Sequence, residues 1–254
     1  MKVIKCLLAN MIILSSVSYV PVNAFSIPDV GYTKEEIASM SDDEYVSMIA
    51  NFSVKSEKEG HTFEQKRKAL EKVGIDYENE GKDIPILRGG EKSSSATLLV
   101  STSKRSGQKY CYTTASVIAK ERFTSTGSED VLSIEWATST YDSSGYYGVS
   151  TPADGHCTYM DGTNRTKGIV LFNLDDDYLN ANGAQCFASV LNYCSGQKTH
   201  KYAAKYVHTY ESTSYTWNIG GNINYSEKSG AYGGLSFTVS GNTIGKTWQL
   251  YATS

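Results

Sequence analysis

The most informative absences in this sequence are those of excess positive charge, of catalytic motifs and of a second long apolar stretch. Residues 25–254 contain all 27 acidic side chains but only 22 of the 24 basic ones. A general nucleic-acid binder needs clustered Lys and Arg, so this balance excludes nucleic acid as a partner. No apolar run beyond the amino-terminal segment approaches the ~20 residues of a membrane-spanning helix.

Catalytic and cofactor-binding motifs are equally scarce. The segment Gly234–Thr238 comes nearest to a nucleophile elbow, but it lacks the second glycine, and Ser236 falls in a plain alternating pattern. No C-x-x-C or H-E-x-x-H spacing occurs, so neither a metal site nor any other cofactor is predicted. We therefore expect a non-catalytic protein.

Two groups of ligand-type residues are better explained without a metal. His200 and His208 lie in one predicted strand, roughly 26 Å from each other at ~3.3 Å per residue, which is too far to share an ion. Asp175–Asp177 could offer oxygen ligands to calcium, but the run lacks the spacing and closing glutamate of an EF-hand loop. Three adjacent acids are more typical of a solvated turn.

The first 24 residues have the pattern of a secretory signal peptide. Lys2 and Lys5 form a basic start, Leu7–Val20 is mostly apolar, and residues 22–24 match the small-x-small pattern of a cleavage site. We expect cleavage near Ala24 and a secreted, extracellular protein of bacterial type.

Four cysteines remain after this cleavage, an even number that indicates two disulfides in an oxidising compartment. They are Cys111, Cys157, Cys186 and Cys194. Three pairings are possible. The short loop between Cys186 and Cys194 favours that pair, which leaves Cys111 with Cys157.

Residues 25–75 are predicted to form an acidic, helical, pro-like segment. Of the residues from 25 to 91, 15 are acidic and 9 basic, whereas the rest of the chain is nearly balanced. Three capping boxes mark helix starts at Thr33, Ser41 and Thr62. Such a segment could be a pro-segment, a spacer or a docking element. Residues 76–94, rich in charged, Gly and Ser residues, are predicted to be a linker.

The period of the pattern changes to two after Ser95, and the composition shifts to Ser, Thr, Tyr, Val and Ile. Residues 95–254 are therefore predicted to form a disulfide-braced β domain. The candidate strands are 95–103, 108–120, 130–140, 166–174, 200–211, 213–225, 233–240 and 246–252. About eight short strands indicate a mainly β fold, an antiparallel β-sandwich or small barrel preceded by a short helical segment.

Two stretches outside this order, Asp142–Thr166 and Asp175–Gly196, are predicted to be long loops, and long loops are often functional. Aromatic rings can stack on sugar faces, and Ser, Thr and Asn can add hydrogen bonds. We therefore expect a binding protein for an extracellular glycan or protein at the cell surface. The expected ligand-binding residues are Tyr141, Tyr146, Tyr147, His156 and Tyr159.

The hairpin at residues 213–240 suggests a second function, because its strands alternate apolar residues with Ser, Thr or Asn. This hairpin resembles those that secreted β-channel toxins insert into membranes. A membrane strand needs about 9–11 alternating residues, which the first strand meets and the second barely does. The alternative is therefore a membrane-active toxin of the pore-forming type with an amino-terminal pro-segment. Membrane contact is expected only under this alternative.

Overall fold

A computed structural model of the chain has a mainly β fold with two antiparallel sheets and three helices near the amino terminus. It describes residues 27–82, 84–85, 95–123, 130–136, 145–180, 183–194, 202–209, 216–220, 236–240 and 247–253. The predicted sandwich is confirmed. The predicted signal peptide and parts of several predicted strands, including 137–140, 221–225 and 233–235, lie outside the described residues.

Helices α1 (Lys34–Ser39), α2 (Asp42–Lys58) and α3 (Phe63–Lys72) begin where the capping boxes predict. In each box the N-cap hydroxyl accepts a hydrogen bond from a backbone N–H of the first turn, and a Glu or Gln side chain accepts one from the N-cap backbone. Gly74 ends the third helix with φ of 81°, a left-handed conformation that glycine adopts without steric cost. No described helix is long and apolar enough to cross a membrane.

Thirteen strands are present in the described residues. In chain order they are β1 (Ile75–Lys82), β2 (Ile84–Pro85), β3 (Ala96–Arg105), β4 (Tyr110–Ala119), β5 (Asp130–Trp136), β6 (Tyr146–Ser150), β7 (Cys157–Asp161), β8 (Ile169–Leu174), β9 (Gln185–Tyr193), β10 (Tyr202–Thr209), β11 (Thr216–Gly220), β12 (Ser236–Ser240) and β13 (Thr247–Thr253). All pairings between these described strands are antiparallel.

The first sheet has the order β1-β3-β4-β9-β6, and the second has the order β2-β13-β10-β5-β8-β7. Strands β11 and β12 form a separate two-stranded ribbon. Alternate residues of the two sheets meet in one apolar core, as period-two patterning requires. That core includes Leu98, Val117, Ala188 and Val190 from the first sheet, and Leu132, Ile134, Phe172 and Tyr206 from the second.

The helices cover the outer face of the first sheet, the face turned away from the second sheet. The stripe Tyr45, Met48, Ile49 and Phe52 is buried, as its spacing predicts. It packs with Tyr77, Tyr112, Phe187 and Leu191 of the sheet in a second apolar cluster. Each fully buried large side chain contributes roughly 1.5–3 kcal/mol. The helical segment is thus a tightly packed layer of the fold rather than an element lying loosely beside it.

The linker prediction for residues 76–94 is wrong in its first part, because residues 75–82 form the edge strand β1. Ile75 and Tyr77 are buried under α3, whereas the acidic residues between and after them are exposed or half-buried. One buried face on an acidic strand leaves only a weak alternation in the sequence. The composition therefore indicated a linker where the tertiary packing makes a strand.

The two predicted long loops also contain strands, namely β6 and β7 in the first and β9 in the second. Strand β9 is buried on both faces, since Phe187 and Leu191 contact the helical layer while Ala188 and Val190 lie between the sheets. A strand buried on both faces loses the polar and apolar alternation by which strands are recognised. Strands β6 and β7 are short edge strands of five residues each.

The favoured cysteine pairing is wrong, because the disulfide joins Cys111 of β4 to Cys194 at the end of β9. These strands are neighbours, and their register sets Cys111 opposite Asn192 and Tyr110 opposite Tyr193. The preference for a short loop was misleading, because Cys111 and Cys194 are separated by 83 positions in the sequence. Cys157 and Cys186 are unbridged in the structure and buried in the core between the sheets.

We predict that Cys157 and Cys186 form a second disulfide when the protein is exported into an oxidising compartment. Backbone contacts bring the two cysteines near each other. The Sγ atom of Cys186 lies 3.4 Å from the carbonyl oxygen of Asp175. The N–H of Asp175 donates to the carbonyl oxygen of His156, the residue before Cys157. Forming the S–S bond from two thiols releases two electrons and two protons, which a disulfide-exchange oxidant of that compartment would accept. A non-reducing peptide map should contain Cys111 linked to Cys194 and Cys157 linked to Cys186. A Cys186–Cys194 peptide would contradict the fold.

Candidate functional site

Strand β6 separates two of the predicted binding residues onto opposite faces of the first sheet. Tyr146 packs against the core between the sheets, and its ring stacks on Trp136 with centroids 6.2 Å apart. Tyr147, the next residue, lies on the outer face, where it stacks on Tyr110 at 4.6 Å. Tyr141 lies outside the described residues. The predicted aromatic set therefore does not form one surface.

Two of the predicted residues lie together near β6 and β7, the edge strands of the two sheets. With the neighbouring Arg165, we call Tyr146 and Tyr159 the edge patch. The Arg165 guanidinium lies 5.8 Å from the centre of the Tyr146 ring, within the range of a cation–π contact. Burial raises the pKa of Tyr146, and the neighbouring Tyr159 adds to that rise. Tyr159 is 48% exposed, so an aromatic surface is open to solvent here.

Backbone geometry fixes Tyr159 in this position. A Cβ atom at Gly162 would lie only 2.2 Å from the Tyr159 hydroxyl oxygen, so that side chain occupies the space above Gly162. Arg165 donates from Nη1 to the carbonyl oxygen of the same Gly162 at 3.2 Å. The Tyr159 hydroxyl and the Arg165 guanidinium therefore both contact the turn that follows β7. Sequence reasoning missed Arg165, although its place in the same predicted loop was the available signal.

Tyr147 belongs to a different group that connects the first sheet to the helices. Its ring contacts Tyr193 edge-on at 5.4 Å in addition to stacking on Tyr110. Tyr110 in turn lies 5.2 Å from Tyr112 and donates from its hydroxyl to Asp42 of α2. Tyr147 is 51% exposed, but its neighbours are tied to the helical layer.

His156 has a structural role at the corner that leads into β7. It adopts φ of 50°, the left-handed region that is uncommon for a residue other than glycine. Its ring stacks on Tyr178 with centroids 3.4 Å apart, and its Nδ1 atom lies 3.5 Å from Oδ2 of Asp175. These contacts join the corner to the turn after β8. The structure thus places His156 with Tyr178 rather than in the edge patch.

The hairpin predicted at 213–240 is present as strands β11 and β12. It belongs to an insertion, residues 210–246, between β10 and β13, which are antiparallel neighbours in the second sheet. Among the described residues, β11 and β12 pair with each other and with neither sheet. The ribbon is therefore an appendage of the sandwich that is attached at the β10–β13 pair.

The register of the hairpin continues that of the strands from which it emerges. The β10–β13 ladder ends with Thr209 opposite Thr247, and the β11–β12 ladder begins with Thr216 opposite Ser240. Six residues separate the two ladders on each strand, so the described pairs of both ladders share one register. A shift of one residue would exchange the two faces, so the two described ladders have the same parity of faces.

The two faces of the hairpin differ in chemistry. Its register sets Trp217 opposite Val239 and Ile219 opposite Phe237, so these four apolar residues occupy one face of the ribbon. The residues of the other face are Thr216, Asn218, Gly220, Ser236, Thr238 and Ser240. The ribbon is therefore amphipathic.

Comparison with known proteins returned no match to a family model, to a curated protein or to a solved structure. The functional assignment therefore rests on the geometry of this chain.

Glu135 gives the second sheet an unusual electrostatic property. It lies fully buried on β5, next to β10, on the side of the second sheet turned away from the first. Burial raises the pKa of Glu135 to about 8, although the hydrogen bond from Ser133 and the charge of Lys205 act in the opposite direction. The Ser133 hydroxyl donates to Oε1 at 2.7 Å.

We predict that Glu135→Gln makes stability less dependent on pH. The folded pKa exceeds the ordinary value of 4.5, so the protonated carboxyl stabilises the fold fully below that value. This contribution is lost as the pH rises toward 8. Between about pH 5 and pH 8 the unfolding free energy of the unchanged protein should fall by on the order of 3 kcal/mol more than that of E135Q.

Urea unfolding at several pH values checks this expectation. Glu35→Gln, which changes an exposed carboxylate in the first turn of α1, is the matched control and should follow the unchanged protein. Parallel curves for E135Q and the unchanged protein would show that Glu135 is ionised in the folded state.

Proposed function

We propose that this protein is secreted, is not an enzyme, and acts on membranes by inserting the β11–β12 hairpin. The observation that carries the proposal is the amphipathic ribbon, whose described pairs share the register of the β10–β13 pair and which, within the described part of the chain, pairs with neither sheet. Such a ribbon could move from water into lipid without disturbing the pairing of β10 with β13. The membrane-active alternative from the sequence therefore gains more support than the glycan-binding reading.

The first strand of the hairpin is long enough for a bilayer, and the second barely is. In the sequence, alternation of the kind seen in β11 extends over 216–225, ten residues, whereas the second predicted strand covers 233–240, eight residues. A transmembrane strand needs about 9–11 residues. Apolar residues at every second position would contact lipid, and the Asn, Ser and Thr residues between them would contact water.

The packing of the helical layer argues against activation by removal of residues 25–75. Removal would uncover Tyr112, Phe187 and Leu191 of the first sheet, all of which are buried beneath the helices. It would also leave the buried guanidinium of Arg105 without the Asp42 carboxylate. We therefore propose that the intact chain from residue 25 is the active form.

The expected result is that intact protein 25–254 releases dye from vesicles of phosphatidylcholine and cholesterol. Ile219→Lys places a charge on the apolar face, at a cost of roughly 2–4 kcal/mol near the bilayer midplane, and should reduce release at least tenfold. Asn218→Lys is the matched control, since it adds the same charge one residue away on the polar face. It should keep release within about threefold of the unchanged protein.

Sedimentation with vesicles and circular dichroism separate a loss of insertion from a loss of binding or folding. Equal losses in I219K and N218K would argue against an inserted ribbon with one face toward lipid. No release by the unchanged protein from any vesicle would contradict the proposal.

A second candidate function, glycan binding, is supported by the edge patch. Tyr159 is exposed beside Tyr146, and Arg165 adds a charged hydrogen-bond donor at the same place. An exposed aromatic ring next to a donor is a suitable surface for a sugar ring. Such binding is compatible with membrane action, because it would hold the protein at the surface of a target cell.

Tyr159→Ala should weaken retention in affinity electrophoresis at least about fivefold, as expected for loss of a stacking ring. The gels would contain mannan, galactan or a soluble β-glucan as probes. Tyr32→Ala, which removes another exposed tyrosine, from the segment before α1, is the control and should not change retention. If none of the three polysaccharides retards the unchanged protein, the edge patch is not a site for these glycans.

A further inference from the structure

A group of metal-ligand side chains lies buried at the end of the second sheet, close to the base of the hairpin. Asp130 begins β5, Asp176 lies in the turn after β8, and His208 is the second-last residue of β10. Their exposed fractions are 0%, 7% and 1%. Three separate chain segments thus bring two carboxylates and one imidazole into a single buried location.

The donor atoms of these residues are close enough to share one ion. One ligand atom from each side chain lies within 4.8 Å of both others. The Nδ1 atom of His208 is 2.9 Å from Oδ2 of Asp130, and the Tyr206 hydroxyl donates to the same oxygen. Two ligands of a tetrahedral zinc ion, each about 2.0–2.2 Å from the metal, lie about 3.3–3.6 Å apart, so these two atoms would separate by about half an ångström to share the ion.

The chemistry of the cluster also favours a cation. Carboxylate oxygens and an imidazole nitrogen are ligand types that a divalent metal accepts, and all three side chains are buried.

We propose that Asp130, Asp176 and His208 bind a zinc ion that fastens β5, β10 and the turn after β8 together. Zinc accepts mixed nitrogen and oxygen ligands in small coordination numbers, which fits one imidazole and two carboxylates. Calcium requires six to eight oxygen ligands and does not favour imidazole, so it fits this donor set poorly. The site is independent of the proposed membrane activity, although it would brace the strand that leads into the hairpin.

The sequence offers an unusually close pair of variants for the test. Asp176 is buried in the cluster, whereas Asp177, the next residue, is exposed to solvent. Asp176→Asn and Asp177→Asn remove the same charge with nearly the same change in volume. A difference between them in metal binding therefore reports the cluster rather than the overall charge of the turn.

The experiment uses protein 25–254 freed of metal by dialysis against a chelator and titrated with zinc in competition with a chromophoric chelator. The unchanged protein and D177N should bind one zinc ion per chain with affinities that agree within about twofold, and D176N should bind at least about tenfold more weakly. At a hundredfold excess of zinc over the dissociation constant, the melting temperature of the unchanged protein should rise by about 5 °C or more.

Cobalt substitution identifies the ligands without relying on a variant that could fail to fold. Visible bands of low-coordinate cobalt, with no thiolate charge-transfer band in the near ultraviolet, are expected for nitrogen and oxygen ligands. A strong thiolate band would show that Cys186 or Cys157 binds the metal and would overturn the proposed ligand set. Failure of the unchanged protein to bind zinc, or equal weakening in D176N and D177N, would overturn the site itself.

Discussion

The buried Arg105 guanidinium holds the helical layer to the first sheet, and much of the architecture depends on it. It lies over the neighbouring rings of Tyr45 and Tyr112, 4.8 Å and 5.2 Å from their centres. It donates to the Met40 carbonyl and to the Asp42 carboxylate, which also accepts from the Tyr112 hydroxyl. A buried charge without its partner is strongly destabilising, typically by about 3–5 kcal/mol. The contact therefore requires the amino-terminal segment and the sheet to fold as one unit.

This attachment explains why two central strands of the first sheet have no exposed face. With helices on one side and the second sheet on the other, β4 and β9 are buried almost throughout. In the described part of the chain, exposed residues lie on the edge strands β6 and β7, and the inserted ribbon pairs with neither sheet. Both candidate functions lie there, with the edge patch on β6 and β7 and the amphipathic hairpin between β10 and β13. A rigid three-layer body thus carries the parts that can bind or rearrange.

Sequence reasoning succeeded where one local pattern decided the structure. The capping boxes located all three helices, and the strand-type composition with its period of two located β3, β4, β5, β8, β10, β13 and the hairpin to within a few residues. It failed for β1, β6, β7 and β9, which are short edge strands, acidic, or buried on both sides. It also found no shared metal for His208 and expected a solvated turn at Asp175–Asp177, whereas His208 and Asp176 lie in one buried polar cluster.

The sequence by itself determined the class of fold, the helix starts and the two-faced character of the hairpin, because each depends on residues a few positions apart. Only the tertiary structure decided the cysteine pairing, the splitting of the tyrosines between two surfaces and the meeting of Asp130, Asp176 and His208. These features join residues that are far apart in the chain. Their contacts depend on strand order and on which face each layer covers, and neither is encoded in a local period.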